Sequence, residues 1–158
     1  MHKMRMYVDT SVFGGVYDEQ FSAPSRLFLE HVEEGRYVAL VSTVTYDELQ
    51  GAPDRVRQLV ENLPVAALEE IPVNAEVRAL AEAYVVARAL ASTMKNDALH
   101  VAAATVARAN AIVSWNFKHI VNFDRILKFN GVNITNGYGQ IAIHSPLELD
   151  YDDANEDL

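Results

Sequence analysis

Ala111-Ile112-Val113-Ser114-Trp115 is the stretch on which the fold turns. It is short, apolar at successive positions, and rich in β-branched and aromatic residues. That pattern suits a strand buried on both faces, as strands are in a parallel sheet covered by helices, rather than one with a solvated face. Comparable runs occur at Arg5 to Val8, Tyr37 to Val41, Val65 to Ile71 and Gln140 to His144. Helical patterns fall between them: Pro24 to Glu34, Thr43 to Gln50 ended by Gly51, Asp54 to Asn62 ended before Pro64, Asn74 to Leu90, Asp97 to Ala109, and Phe117 to Phe129 stopping at Asn130-Gly131. Strands alternating with helices predict a three-layer α/β/α sandwich around a central, largely parallel sheet, with Asp9 at the carboxyl end of a central strand.

The 158 residues, half of them apolar, suit one domain with one substantial core. No apolar run is long enough to span a bilayer, and Met1-His2-Lys3-Met4-Arg5 leads into a strand instead of a signal-peptide core, so a cytoplasmic protein without membrane attachment is expected. With no cysteine, thiolate metal sites, disulfides and thiol nucleophiles are excluded, and any chemistry falls to carboxylates, histidines and hydroxyls.

A formal charge of −9 argues against a nucleic-acid partner at first sight, because phosphate binding leaves a footprint of clustered Lys and Arg. Its distribution weakens the objection. Six of the 22 acids lie in residues 148–158, which hold no Lys or Arg, so residues 1–147 carry 13 basic against 16 acidic side chains, a formal −3. The expected organisation is one folded domain over 1–147 followed by an acidic tail over 148–158, disordered from Asp150 because it is too acidic and too poor in apolar residues to pack.

In open parallel sheets, ligands bind beyond the carboxyl ends of the strands. Asp9 follows the first strand, Glu48 lies on the helix after the second, Asp97 opens a helix, and Asn116 follows the strand ending at Trp115. Converging carboxylates repel one another without a cation and supply the hard oxygen ligands that Mg2+ or Mn2+ demands. Each acid also has an ordinary reading: an Asx-turn with Ser11 for Asp9, a solvated helix position for Glu48 with Asp47 as a rival, and a helix cap for Asp97. His100, one turn from Asp97 among small apolar residues, reads as a packed, hydrogen-bonded core residue. Gly14-Gly15 reads as a turn in preference to a close backbone approach. No phosphate-cradling Gly-rich pattern follows the first strand.

Four segments resemble the ordered motifs of PIN domains: Tyr7-Val8-Asp9-Thr10-Ser11-Val12, Ser42-Thr43-Val44-Thr45-Tyr46-Asp47-Glu48-Leu49, Asn96-Asp97-Ala98-Leu99-His100-Val101-Ala102-Ala103-Ala104, and Ile112-Val113-Ser114-Trp115-Asn116-Phe117-Lys118-His119-Ile120. The resemblance implies a PIN-like sandwich and a divalent-metal endoribonuclease, most often the VapC-type toxin of a toxin–antitoxin pair, commonly a homodimer inhibited by a small antitoxin. It implies Asp9, Glu48 and Asp97 as metal ligands using Mg2+ or Mn2+, with Thr10 or Ser11 supporting Asp9. Asn116 departs from the acid found there in many PIN domains, and an uncharged amide oxygen predicts weak binding of a second ion. Lys118 and His119 stand at the expected site edge, within reach of an RNA phosphate. Apolar residues beyond the main stripe of Asn74 to Leu90, namely Val85, Val86, Ala87 and Leu90, suggest a homodimer face. The competing reading is a catalytically weak or inactive PIN scaffold that binds protein or RNA; a small phosphatase would want a second acid where Thr10-Ser11 stands.

Overall fold

The computed structural model describes residues 3–149. Its core is a five-stranded sheet in the order β3-β2-β1-β4-β5, formed by β1 (Met4–Val8), β2 (Tyr37–Ser42), β3 (Leu68–Ile71), β4 (Ala111–Val113) and β5 (Ala142–His144). Every pairing is parallel, with Tyr7 opposite Leu40 on one side and Ile112 on the other. Side chains alternate across the pleat. Met6, Val8, Ala39, Val41, Ala111 and Val113 pack on one face with α1 (Thr10–Gly15), α2 (Ser22–Glu33) and α4 (Asp54–Glu61). Tyr7, Leu40, Ile112 and Ile143 pack on the other with α5 (Ala75–Val86), α6 (Lys95–Val106) and α7 (Phe123–Thr135). Residues buried on both faces explain the unbroken apolar runs in the sequence, and the expected α/β/α sandwich with a parallel sheet is what forms.

Two features of this topology position a site. β1 is the middle strand, with β2 and β3 following on one side and β4 and β5 on the other. The crevice past its carboxyl end is therefore the point where chain connections diverge and a ligand has room. Helix α6 lies flush on the sheet because Ala98, Ala102, Ala103 and Ala104 are small and buried, which draws His100, fully buried between them, against Tyr7.

Several boundaries differ from the sequence expectation, each for a local reason. Thr10 to Gly15 is helical (α1) instead of a turn at Gly14-Gly15. A Cβ on Gly15 would lie 2.7 Å from Ser25 Oγ and 2.8 Å from Trp115 Nε1, so this glycine serves a close approach. Residues 117–122 are not helical; α7 starts at Phe123 behind Asn122, whose side chain accepts from Arg125 N, and it continues through Asn130-Gly131 to Thr135. Asn130 does not stop α7 because its amide is used elsewhere, accepting from Ile141 N (2.7 Å) and donating to Ile141 O (3.2 Å). Helix α5 ends at Val86, ahead of Arg88 at φ +62°, and Leu90 is buried in the core. Residues Val65–Ala67 form a 3-10 turn, so the strand begins at Leu68. Pro146–Glu148 forms another such turn, and Leu149 packs against the α1/α2 face. Of the acidic tail expected over 148–158, Glu148 and Leu149 are ordered in this way, and residues 150–158, the part expected to be disordered, lie outside the described residues.

Candidate metal centre

Asp9 directly follows β1, and its backbone N–H continues the ladder to Val113 O (3.0 Å), which fixes the carboxylate at the sheet's rim. The side chain is buried, and its Oδ2 accepts from Ser11 Oγ (2.6 Å) and Ser114 Oγ (2.8 Å). Ser11 Oγ in turn accepts from Trp115 N (2.9 Å), and Ser114 Oγ accepts from Asn116 N (2.9 Å). The short Asp-x-Ser bond expected of turn chemistry is therefore present, and it leaves Oδ1 facing His100 Nε2 at 3.5 Å.

Glu48 reaches the same place from α3 (Thr43–Leu49), while Asp47 beside it is exposed. Its Oε1 accepts from Thr10 Oγ1 (2.7 Å) and pairs with His100 Nε2 (2.6 Å). Burial by itself would raise the Glu48 carboxyl, but the His100 contact, with hydrogen bonds from Thr10 and Asn96, holds it below the usual range. Thr10 thus supports Glu48, and Ser11 supports Asp9.

His100, which the sequence presents as a structural residue, has a larger part. It is buried and hydrogen-bonded as expected, yet Asp9, Glu48 and His100 each offer a ligand atom within 4.8 Å of one another. Its Nδ1 lies 2.7 Å from Tyr7 Oη, which also pairs with Ser42 Oγ (2.7 Å), so a buried chain runs from β2 through β1 and α6 to Glu48. Burial would push the imidazole down, but the charge interactions with Tyr7, the Glu48 hydrogen bond and Asp9 outweigh it and leave His100 well above its ordinary value. The signal in the sequence is the Asp97-x-x-His100 spacing, which puts both side chains on one helix face.

Asp97, in the first turn of α6, lines the same pocket of about 520 Å3 as Asp9, Thr10, Glu48 and Asn116. It does not belong to the close group. Asp97 Oδ2 lies 3.1 Å from His119 Nδ1, and Oδ1 accepts from Asn116 Nδ2 (3.3 Å). Burial raises its pKa, and the negative charge of Asp9 raises it further, against partial relief from His119 and His100. Asn116 is doubly committed: its Oδ1 accepts from His119 N (3.0 Å) and its Nδ2 faces Asp97. An amide so placed turns a donor toward the pocket, not an oxygen. His119 sits against Asp97, and Lys118 is exposed, its carbonyl accepting from Arg125 Nε (3.1 Å).

The donor set fits a hard divalent ion. Carboxylate oxygens of Asp9 and Glu48 converge beside the His100 imidazole, which pairs with them, and Asp97 adds a third carboxyl on the same pocket, its pKa raised first by burial and then by Asp9. Burial and the negative charge of Asp9 both work against an ionised Asp97, and a cation among the three acids would relieve that.

A family model described as the PIN domain matches residues 6–126. Two solved structures are similar in fold. The VapBC2 structure from Rickettsia felis, bound to a DNA fragment from their promoter, superposes with a TM-score of 0.59 at 16% identity, covering 90% of this chain and 98% of that one. VapC20 of Mycobacterium tuberculosis, a sarcin-ricin loop cleaving toxin, gives 0.53 at 14% identity over 87% of this chain and 98% of its own. No curated protein matches by sequence.

Proposed function

The chain belongs to the PIN-domain family, and from that premise we propose that it is a divalent-metal-dependent endoribonuclease, the toxin of a toxin–antitoxin pair. The observation that carries this reading is the convergence of Asp9, Glu48 and His100 within 4.8 Å at the carboxyl end of the central strand, with Asp97 on the same pocket. The VapC20 fold likeness supports it, since that protein is a toxin that cleaves.

Asp9, Glu48 and Asp97 are the residues that would hold Mg2+ or Mn2+. Such an ion supplies Lewis-acid polarisation of a phosphodiester and acidification of water. The remaining work belongs to the protein. Ser11 and Ser114 fix the Asp9 carboxylate by two hydrogen bonds to Oδ2, and Thr10 with His100 fixes Glu48 through Oε1. Carboxylates oriented in advance lose little freedom on binding, which raises both affinity and positional accuracy. His119 Nδ1 lies 3.1 Å from Asp97 Oδ2 and orients that carboxyl. Lys118, exposed nearby, is available to a phosphate of the substrate.

The VapBC2 fold likeness supports a small antitoxin as partner, one whose Arg-bearing segment neutralises the acidic pocket by bidentate pairing. A homodimer rests on the surface formed by α5 and α7. Leu90 is unavailable for it, being buried in its own core, whereas Val86 on α5 is 74% exposed and Phe123, Leu127 and Ile134 on α7 are 77%, 58% and 56% exposed. No helix among the described residues is long and apolar enough to cross a membrane; a cytoplasmic location is part of the proposal.

One observation favours the second reading, a scaffold with weak or no catalysis: Asn116 presents its amide nitrogen to Asp97 and contributes no charge. Incubation of the protein with labelled structured RNA, single-stranded RNA and DNA, with manganese or with chelator and beside Asp9→Ala, separates the two. Manganese-dependent RNA cleavage absent from Asp9→Ala is expected; RNA or protein binding without cleavage at any metal concentration would give the scaffold reading precedence.

A further inference from the structure

A pocket of acids in a chain of charge −9 must still attract a polyanion, so the disposition of its guanidinium groups matters. Arg5 is paired with Glu69, Arg57 with Asp54, and Arg125 is bound to the carbonyls of Lys118 and Ala89. Arg26 on α2 and Arg55 on α4 are different. Their guanidinium carbons lie 5.4 Å and 4.5 Å from the ring centroid of one residue, Tyr17. Arg26 Nε donates to Ser22 Oγ (3.0 Å), and neither arginine is paired with a carboxylate among the described residues. Both side chains and Tyr17 are exposed. Asp18, the adjacent acid, is turned to the N–H of Gln20 (2.8 Å).

This cluster adjoins the candidate metal centre. Tyr17 N donates to Gly14 O (3.2 Å), and Asp18 N donates to Gly15 O (3.1 Å), both glycines lining the acidic pocket. Phe21 lines that pocket as well, stacked on Trp115 at a centroid distance of 4.2 Å and an interplanar angle of 23°. Gly14, on the lining shared with Phe21, leaves open space, since a Cβ there would meet nothing within 4 Å. A cation held against a ring keeps its N–H edges free for phosphate, and a backed aromatic face accepts any unpaired base.

We propose that Tyr17, Phe21, Arg26 and Arg55 form a docking subsite for single-stranded RNA at the mouth of the acidic pocket, with a base against Phe21 and a neighbouring phosphate between the two guanidiniums. The proposal rests on the nuclease reading for its choice of ligand. Charge separation is its physical basis: the acids hold cations for the reacting phosphate, while the arginine pair supplies the attraction that the acids cannot. Unpaired bases are required because a paired base cannot present its face to Phe21.

The test is binding of a labelled single-stranded oligoribonucleotide to the full chain in chelator, read by anisotropy and by the emission of Trp115, the one tryptophan in the sequence. The Arg26→Gln/Arg55→Gln double variant should bind several-fold more weakly, with the slope of log affinity against log salt reduced by about 0.7 for each phosphate no longer neutralised. Tyr17→Phe should bind like wild type and Tyr17→Leu like the double variant. Phe21→Leu should lose the RNA-induced change in Trp115 emission and about 10-fold in affinity. A double variant with unchanged affinity and salt slope overturns the subsite, as does one that loses affinity for a polyglutamate peptide while binding RNA normally, which would make the pair a protein contact. If the variants behave as expected yet wild type never cleaves RNA in manganese, the nuclease reading fails and the subsite stands; cleavage by wild type with RNA binding unaltered in every variant gives the reverse.

Discussion

At the amino end of the sheet a carboxylate and a guanidinium are matched one to one. Arg5 on β1 reaches across β2 to Glu69 on β3, donating from Nη2 (2.6 Å) and Nε (3.1 Å), while its Nη1 donates to Ala107 O (2.8 Å) at the end of α6. The arginine's hydrogen bonds hold the Glu69 carboxyl below its usual range. At the carboxyl end the balance is different: Asp9, Glu48 and Asp97 line one pocket with only the imidazoles of His100 and His119 against them, and Asp97 is driven up by burial and by Asp9. One end is an arrangement that folding favours in itself; at the other, burial and the like charge of Asp9 work against an ionised Asp97. Stability and function can therefore be separated by asking what each end loses when a charge is removed.

The largest effect should come from Asp9→Asn. Loss of metal-dependent cleavage should exceed the roughly 100-fold typical of removing an outer partner of a metal ligand. Cleavage rate and metal titration by calorimetry measure it, and a wild-type rate in Asp9→Asn would dissolve the contrast between the two ends. Asp97→Asn should also abolish activity, yet raise the metal-free melting temperature by a few degrees, because the like charge of Asp9 no longer faces an ionised neighbour. A drop in melting temperature would mean that the His119 pairing outweighs that repulsion.

Asn116→Asp sharpens the comparison from the other side. It replaces the donor facing Asp97 with a carboxylate, so metal-free stability should fall while the stabilisation by added manganese grows. Thermal shifts with and without metal give both numbers, and an unaltered metal response would place the second ion elsewhere.

The two ends also predict opposite pH limbs. His100 is raised in the folded state, so its contribution is complete below about pH 6.5 and is lost as pH rises through the folded value. Glu69 is lowered, so its contribution is present above about pH 4.3 and is lost as pH falls through the folded value. Metal-free stability should decline on the alkaline side in wild type and decline less in His100→Gln, as denaturant melts at pH 6 and pH 9 would reveal. The smallest effect belongs to Arg5→Gln: the pair is about a third exposed, so the loss should be on the order of 1 kcal/mol or less, with metal affinity unchanged.

The sequence by itself determined the architecture. Runs such as Ala111-Ile112-Val113 are buried on both faces, and burial on both faces leaves an unbroken apolar signature that admits few topologies. It also put Asp9 directly after the first strand and Glu48 on the helix after the second, because connectivity fixes which residues follow a strand, while the preference for Glu48 over Asp47 came from the family resemblance. Only the tertiary structure decided the partners. His100 is surrounded in sequence by small apolar residues, and nothing local tells that Tyr7, 93 positions away, holds one ring nitrogen while Glu48, 52 positions away, holds the other. Gly15 reads as a turn because its need for space comes from Ser25 and Trp115, which reach it across the fold. Asn130-Gly131 reads as a helix end because the bond that frees Asn130 from stopping α7 is made to Ile141, just ahead of the strand that follows. Propensity and periodicity act within a few residues and are written along the chain; hydrogen bonds and electrostatic repulsion act through space, and an interaction between distant segments leaves no pattern in either one alone.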